Sequence, residues 1–127
     1  MAKLKQLVIH CTATPEGREV SADEIRRWHC APLSEGGRGW RQVGYTDLIH
    51  LDGTVERLVD NNEDDVVDPW EITNGAAGHN SVSRHIVYAG GVAADGRTPK
   101  DTRTPEQREA LATYVRDFHR RFPSVRL

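Results

Sequence analysis

Leu7-Val8-Ile9-His10-Cys11-Thr12-Ala13-Thr14 is the stretch that decides the architecture. Three apolar residues follow one another with no polar alternation, the pattern of a strand covered on both faces, as parallel strands are. We place this first strand from Leu4 to His10. It ends in small and hydroxyl residues that leave open space in front of the His10 ring. A buried strand that ends at a histidine followed by small residues makes His10 a candidate for chemistry.

Working outward, Ser21-Ala22-Asp23-Glu24 has the spacing of a capping box and opens a helix. Ile25 and Trp28 share its apolar face, and Pro32 stops it. Gly44 to Leu51 and Thr54 to Val59 read as a hairpin closed by a two-residue Asp52-Gly53 turn. The acidic stretch from Asn61 to Asn74 reads as a long irregular loop of the kind that often carries binding residues. His85 to Ala89 alternates as another strand. Thr104-Pro105-Glu106-Gln107 combines a cap, a first-turn proline and a capping box. Leu111, Val115, Phe118 and Phe122 then make one long helical stripe. Pro123 closes that helix, and Ser124 to Leu127 reads as the start of a further strand.

Length and composition narrow the class. The chain has 127 residues, 37% hydrophobic and 28% charged, with a net charge of -2. That fits one folded domain spanning 1–127. The charge balance gives no electrostatic basis for a nucleic-acid partner. The basic pairs Arg26-Arg27 and Arg120-Arg121 read as solvated helix faces. No apolar run approaches the roughly 20 residues of a membrane span, and the N-terminal run is too short for a signal peptide. The expectation is a chain made in the cytoplasm without a signal peptide. Cys11 and Cys30 are expected to be buried free thiols.

Six histidines are candidates for chemistry. His29 and His119 read as structural or surface residues, and His50 as an exposed residue beside the turn. His79 fits a loop and His85 a strand. His10, at the end of a buried strand, has the position of a ligand to a catalytic metal, which takes three protein donors and a water. A structural role fits that position equally well. Tyr45 reads either as strand packing or as a phenol that hydrogen-bonds a nucleophilic water or an oxyanion.

Taken together, Leu7 to Thr14, Glu24-Ile25-Arg26-Arg27-Trp28-His29, Gly39-Trp40-Arg41-Gln42-Val43-Gly44-Tyr45 and Leu48 to Glu56 resemble the type 2 N-acetylmuramoyl-L-alanine amidases. The peptidoglycan recognition proteins are relatives of that family. Gly78, Asn80, Ser83, Gly90-Gly91 and the helix opened by Thr104 extend the match over essentially the whole chain. The resemblance implies a mixed β-sheet flanked by helices with a Zn2+ site in a cleft. The implied reaction is hydrolysis of the amide between N-acetylmuramic acid and L-alanine, in the bacterial cell wall or its fragments. It implies His10 as a zinc ligand, Tyr45 as the catalytic tyrosine, and His79 and Asn80 as contacts to a muropeptide. In the family a second histidine and a later cysteine or aspartate complete the metal site. The pattern here reaches Val125-Arg126-Leu127 before either, so the expectation is a domain without its C-terminal segment and doubtful as a zinc enzyme. The alternative is a module that binds muropeptides without cutting them. An unpaired sheet edge would also favour pairing with a second copy.

Overall fold

Two capping boxes anticipated from sequence form as drawn. The structure, a computed structural model, describes residues 2–127. In chain order its elements are β1 (Ala2–Lys3), β2 (Gln6–Cys11), β3 (Thr14–Pro15), α1 (Ala22–Cys30), β4 (Asp47–Ile49), β5 (Val55–Arg57), β6 (Val66–Val67), β7 (Ser83–Tyr88), β8 (Gly91–Val92) and α2 (Pro105–Arg121). The Glu24 amide donates to Ser21 Oγ and the Ser21 amide to Glu24 Oε1, both at 3.1 Å. At α2 the Gln107 amide donates to Thr104 Oγ1 at 3.0 Å and the Thr104 amide to Gln107 Oε1 at 2.9 Å. Gln107 is fully buried, and its Nε2 donates to the Ala89 carbonyl at 2.9 Å. One side chain therefore caps the helix and ties it to the end of β7.

The central sheet has the order β2-β7-β4-β5, parallel across β2, β7 and β4 and antiparallel at β5. This is the α/β fold with a mixed sheet that the family resemblance implied. Register decides which residues share a face: Val8 pairs with His85 and His10 with Val87, while Leu48 pairs with Val87. Paired residues point the same way, so His10, His85, Val87 and Leu48 look out on one side. That side is packed by Val20, Ala22, Ile25, Val43 and Ala89, and so by α1 and its flanking loops. The opposite side, with Leu7, Ile49 and Ile86, is packed by Leu111, Phe118 and Phe122 of α2. Helices thus lie on both faces, and the His10 side belongs to α1.

Several local expectations change. Trp28 is 38% exposed with the Arg18 guanidinium 5.7 Å above it, and His29 takes the core position instead. The buried set Ala22, Ile25 and His29 follows a helical stripe more closely than Ile25 and Trp28 do. Val8 and Ile9 are half-buried, because β2's outer neighbour is a single parallel bridge from Gln6 to Arg126. There the Leu7 amide donates to Arg126 O at 2.8 Å, and the Arg126 amide to Lys5 O at 2.9 Å. The hairpin turn has three residues, not two. The His50 amide bonds Thr54 O at 2.8 Å, leaving Leu51-Asp52-Gly53 between, with Gly53 in the left-handed region at φ 86°. That is the three-residue connection whose last position favours glycine. The acidic loop is more ordered than its composition suggests. Its Val66–Val67 segment pairs antiparallel with Ala2–Lys3, and Glu71 is buried. Cys11 and Cys30 are free and half-buried. Among the described residues no helix is long and apolar enough to cross a membrane.

Candidate functional site

His10 lies near the carboxyl end of β2, and the chain turns away from that strand through Ala13, whose φ is 57°. A non-glycine residue in that region is held there by its surroundings. Thr12 Oγ1 accepts from the Gly90 amide at 2.9 Å and shares a hydrogen bond with Thr14 Oγ1 at 2.7 Å. Small hydroxyl side chains thus pin the exit of β2 to the exit of β7.

Around His10 the aromatic rings form a row. His85 and His10 have centroids 5.0 Å apart, His10 and Tyr45 5.2 Å, Tyr45 and His29 5.3 Å, and His29 and Trp40 4.9 Å. Arg38 lies 5.2 Å over the Trp40 ring. Of the two readings of His29, structural or surface, the structure shows the first: it is buried, and its Nδ1 accepts from the Gly44 amide at 2.9 Å. His10 and Tyr45, proposed from separate segments, are brought into contact.

The tyrosine hydroxyl makes no hydrogen bond among the described residues, yet it is not a sealed, unpartnered atom; it meets solvent. Burial, with the Cys11 thiol nearby, raises the Tyr45 pKa, so the phenol keeps its proton and acts as a donor. Burial lowers the His10 pKa. His29 moves the same way, from burial and the Arg38 charge. All three rings are neutral hydrogen-bonding groups near pH 7.

His85 is the residue that sequence reading passed over. It is fully buried, its Nδ1 lies 2.9 Å from His10 Nε2, and its Nε2 lies 3.0 Å from Asn80 Oδ1. Burial and the adjoining His10 and His79 push its pKa down to about 4. The signal that could have found it was register: a histidine two positions before the partner of His10 must share its face. Asn80 Oδ1 also accepts from the Ala76 amide at 2.9 Å, so the oxygen is committed within the protein. Asn80 nevertheless borders a groove of ≈ 550 Å³ with Trp40, Arg41, Asn74, Gly75 and Ala77. His79 is exposed on the neighbouring turn, and its carbonyl accepts from Ser83 Oγ at 2.6 Å.

His50 is half-buried rather than free at the surface. Its Nδ1 lies 3.0 Å from Glu19 Oε1 and its Nε2 2.8 Å from Glu56 Oε1. Carboxylates only accept, so both contacts are hydrogen bonds only when the ring is protonated. Burial opposes the charge, but the bonds to Glu56 and Glu19 outweigh it and raise the pKa above 6.5. A raised folded value means that the clamp's stabilisation is complete below the unfolded value of 6.5 and fades as pH rises through the folded value. Both carboxylates are about half exposed, so screening limits the clamp to about 1 kcal/mol or less. His50→Gln is expected to be less stable than the parent in acid and equal to it well above neutrality, in denaturant melts taken across pH. A gap that stays constant with pH would rule the clamp out.

The fit to a metal can be judged from the donors. Catalytic zinc takes three protein ligands. Among the described residues no group of three His, Cys, Asp or Glu side chains could hold a metal ion. At the candidate site His10 and His85 are bonded to each other, so these residues alone do not fit a zinc centre.

The sequence pattern of the N-acetylmuramoyl-L-alanine amidase family matches residues 1–126. An endolysin of Enterobacteria phage K11 is 33% identical over 120 residues, covering 94% of this chain and 70% of that protein. An endolysin of Klebsiella phage KP32 is 36% identical over 110 residues, covering 87% of this chain and 63% of the relative. The chain therefore spans about two thirds of the length of these curated relatives. Among solved structures, the Ph2119 endolysin from the Thermus scotoductus MAT2119 bacteriophage superposes with a TM-score of 0.68 at 25% identity. That match covers 98% of this chain and 70% of the other.

Proposed function

Because the chain belongs to the N-acetylmuramoyl-L-alanine amidase family, we propose that it acts on peptidoglycan, at the amide joining N-acetylmuramic acid to the L-alanine of the stem peptide. The observation that carries this reading is the contact of His10, near the end of β2, with Tyr45, just before β4, on the face of the sheet that α1 covers. The groove bordered by Trp40, Arg41 and Asn80 takes the muropeptide in this reading, and His79, exposed on the turn before Asn80, is a further contact to it. Tyr45, a protonated phenol open to solvent, donates a hydrogen bond to the oxygen that gains charge when the amide carbonyl is attacked. His10 offers its remaining ring nitrogen to the cleft.

Zinc dependence belongs to this proposal as a property of the reaction, with His10 as one ligand. The other donors are not among the described residues that surround it. That donor set favours a second reading for residues 2–127 taken alone: the groove holds a muropeptide and leaves it uncut.

The readings separate in one experiment, in which the chain is mixed with a defined muropeptide and excess zinc. Binding is followed calorimetrically and cleavage by the appearance of a free L-alanine amino group. Binding is expected, with His10→Ala and Tyr45→Phe keeping it within a few-fold. Any hydrolysis by the parent should vanish in His10→Ala and fall about 10²–10³-fold in Tyr45→Phe, the usual loss on removing one oxyanion donor. Cleavage by the parent eliminates the binding-only reading. Binding without cleavage eliminates the enzyme reading for these residues, and absence of both eliminates the two together.

A further inference from the structure

We propose that His85 is a positioning residue for His10, holding its ring in the single tautomer that carries hydrogen on Nε2 and so presenting Nδ1 to the cleft. The direction of every bond follows from one fixed end. The Ala76 backbone amide can only donate, and it lies 2.9 Å from the Asn80 side chain, which identifies the atom there as the oxygen. That oxygen can only accept, so His85 Nε2, 3.0 Å away, carries a hydrogen. A neutral imidazole has one ring hydrogen, which leaves His85 Nδ1 as a lone pair. The 2.9 Å contact between the rings is then a donation from His10 Nε2 to His85 Nδ1. His10 Nδ1 keeps its lone pair. It has no partner among the described residues and is not a sealed atom, so it faces solvent.

Packing makes the assignment rigid. His85 is fully buried, with no carboxylate bonded to either ring nitrogen. A charged ring there would be unpaired in a dry setting. A Cβ built on Gly75 would stand 2.5 Å from His85 Cγ and Nδ1, so the ring lies against bare backbone and has no room to turn over. His10, by contrast, is only half-buried. The buried histidine therefore lends its own fixed geometry to the exposed one. The hydrogen bond made by one ring nitrogen sets which nitrogen a histidine offers.

What the tautomer does for peptidoglycan rests on the reading of His10 given above; the tautomer itself does not. The test is long-range proton–nitrogen correlation of the imidazoles in the ¹⁵N-labelled chain at neutral pH without added metal. For the parent, His10 should show a pyrrole-type Nε2 and a pyridine-type Nδ1, with no averaging. In His85→Ala both His10 nitrogens should move toward the averaged positions of a freely exchanging imidazole. His85→Asn, whose Oδ1 accepts where Nδ1 did, should restore the parent pattern. Since a buried residue is being removed, Asn80→Ala provides an independent arm at a half-buried position. It frees only the far end of the relay, and partial averaging of His10 and His85 is expected. A His10 pattern averaged in the parent, or unchanged in a folded His85→Ala, overturns the proposal. If the tautomers hold while muropeptide is neither bound nor cut, the functional reading fails and the positioning role stands.

Discussion

Glu71→Ala is expected to destabilise the protein by about 3–5 kcal/mol, the range for stripping one partner from a buried ion pair. Glu71 is 4% exposed and Arg84 4% exposed, with Oε2 and Nη2 3.4 Å apart. Oε1 of the same carboxylate accepts from the Asn62 amide at 3.2 Å, so the change also orphans a loop amide. Arg84 has little else to fall back on. Asp64 is 3.9 Å away and about half exposed, the Phe122 ring lies 5.8 Å beneath the guanidinium, and Arg84 Nε is already buried without a partner. Urea melts of Glu71→Ala, Glu71→Gln and the double variant Glu71→Leu/Arg84→Met decide the matter. Glu71→Gln keeps an oxygen for Asn62 and should lose less, while the double variant removes both charges and should recover most of the loss. A single alanine variant within 1 kcal/mol of the parent, about the worth of a surface pair, would show that Arg84 does not depend on Glu71.

Phe118→Ala should cost about 3–5 kcal/mol, as deletion of a buried aromatic side chain does. Phe118 is 3% exposed and sits between Tyr114 and Phe122, with ring centroids 6.3 and 5.0 Å away. It also borders a groove of ≈ 270 Å³ shared with Leu7, Val115 and Val125. The space left by the ring would merge with that groove and admit water, which relieves part of the cavity penalty and places the result toward the lower end. Phe118→Leu should regain more than half. Thermal melts check both, and equal losses for the two variants would mean that ring packing is not what Phe118 contributes.

These two residues show what could be read from the sequence and what could not. Phe118 was legible because a helical stripe repeats along the chain and needs only its own period to be seen. The capping boxes at Ser21 and Thr104 were legible for the same reason, as each is complete within four residues. Glu71 and Arg84 are 13 positions apart, in an acidic loop and a strand, and nothing local marks either as buried. The site divides along the same line. His10 stood out through its own strand end, and Tyr45 through its place in an ordered set of motifs. His85 works only through a neighbour 75 residues away, and it becomes visible once β2 and β7 are paired in register. Trp28 was misplaced because two large apolar residues three apart suggested a face, while the histidine beside them filled it.

The close approach at Gly75 has a consequence for how such chains can diverge. With the His85 ring in place, any side chain at position 75 would have to push into it or into the Gly44 carbonyl oxygen, 2.8 Å from the same point. Positions 75 and 85 are therefore not free to drift separately. Losing the imidazole removes the closer of the two obstacles to a Cβ at 75, and the Gly44 carbonyl has then to shift as well. Among descendants of this fold, an imidazole at 85 should travel with bare backbone at 75, and a smaller residue at 85 should be found wherever 75 has acquired a side chain.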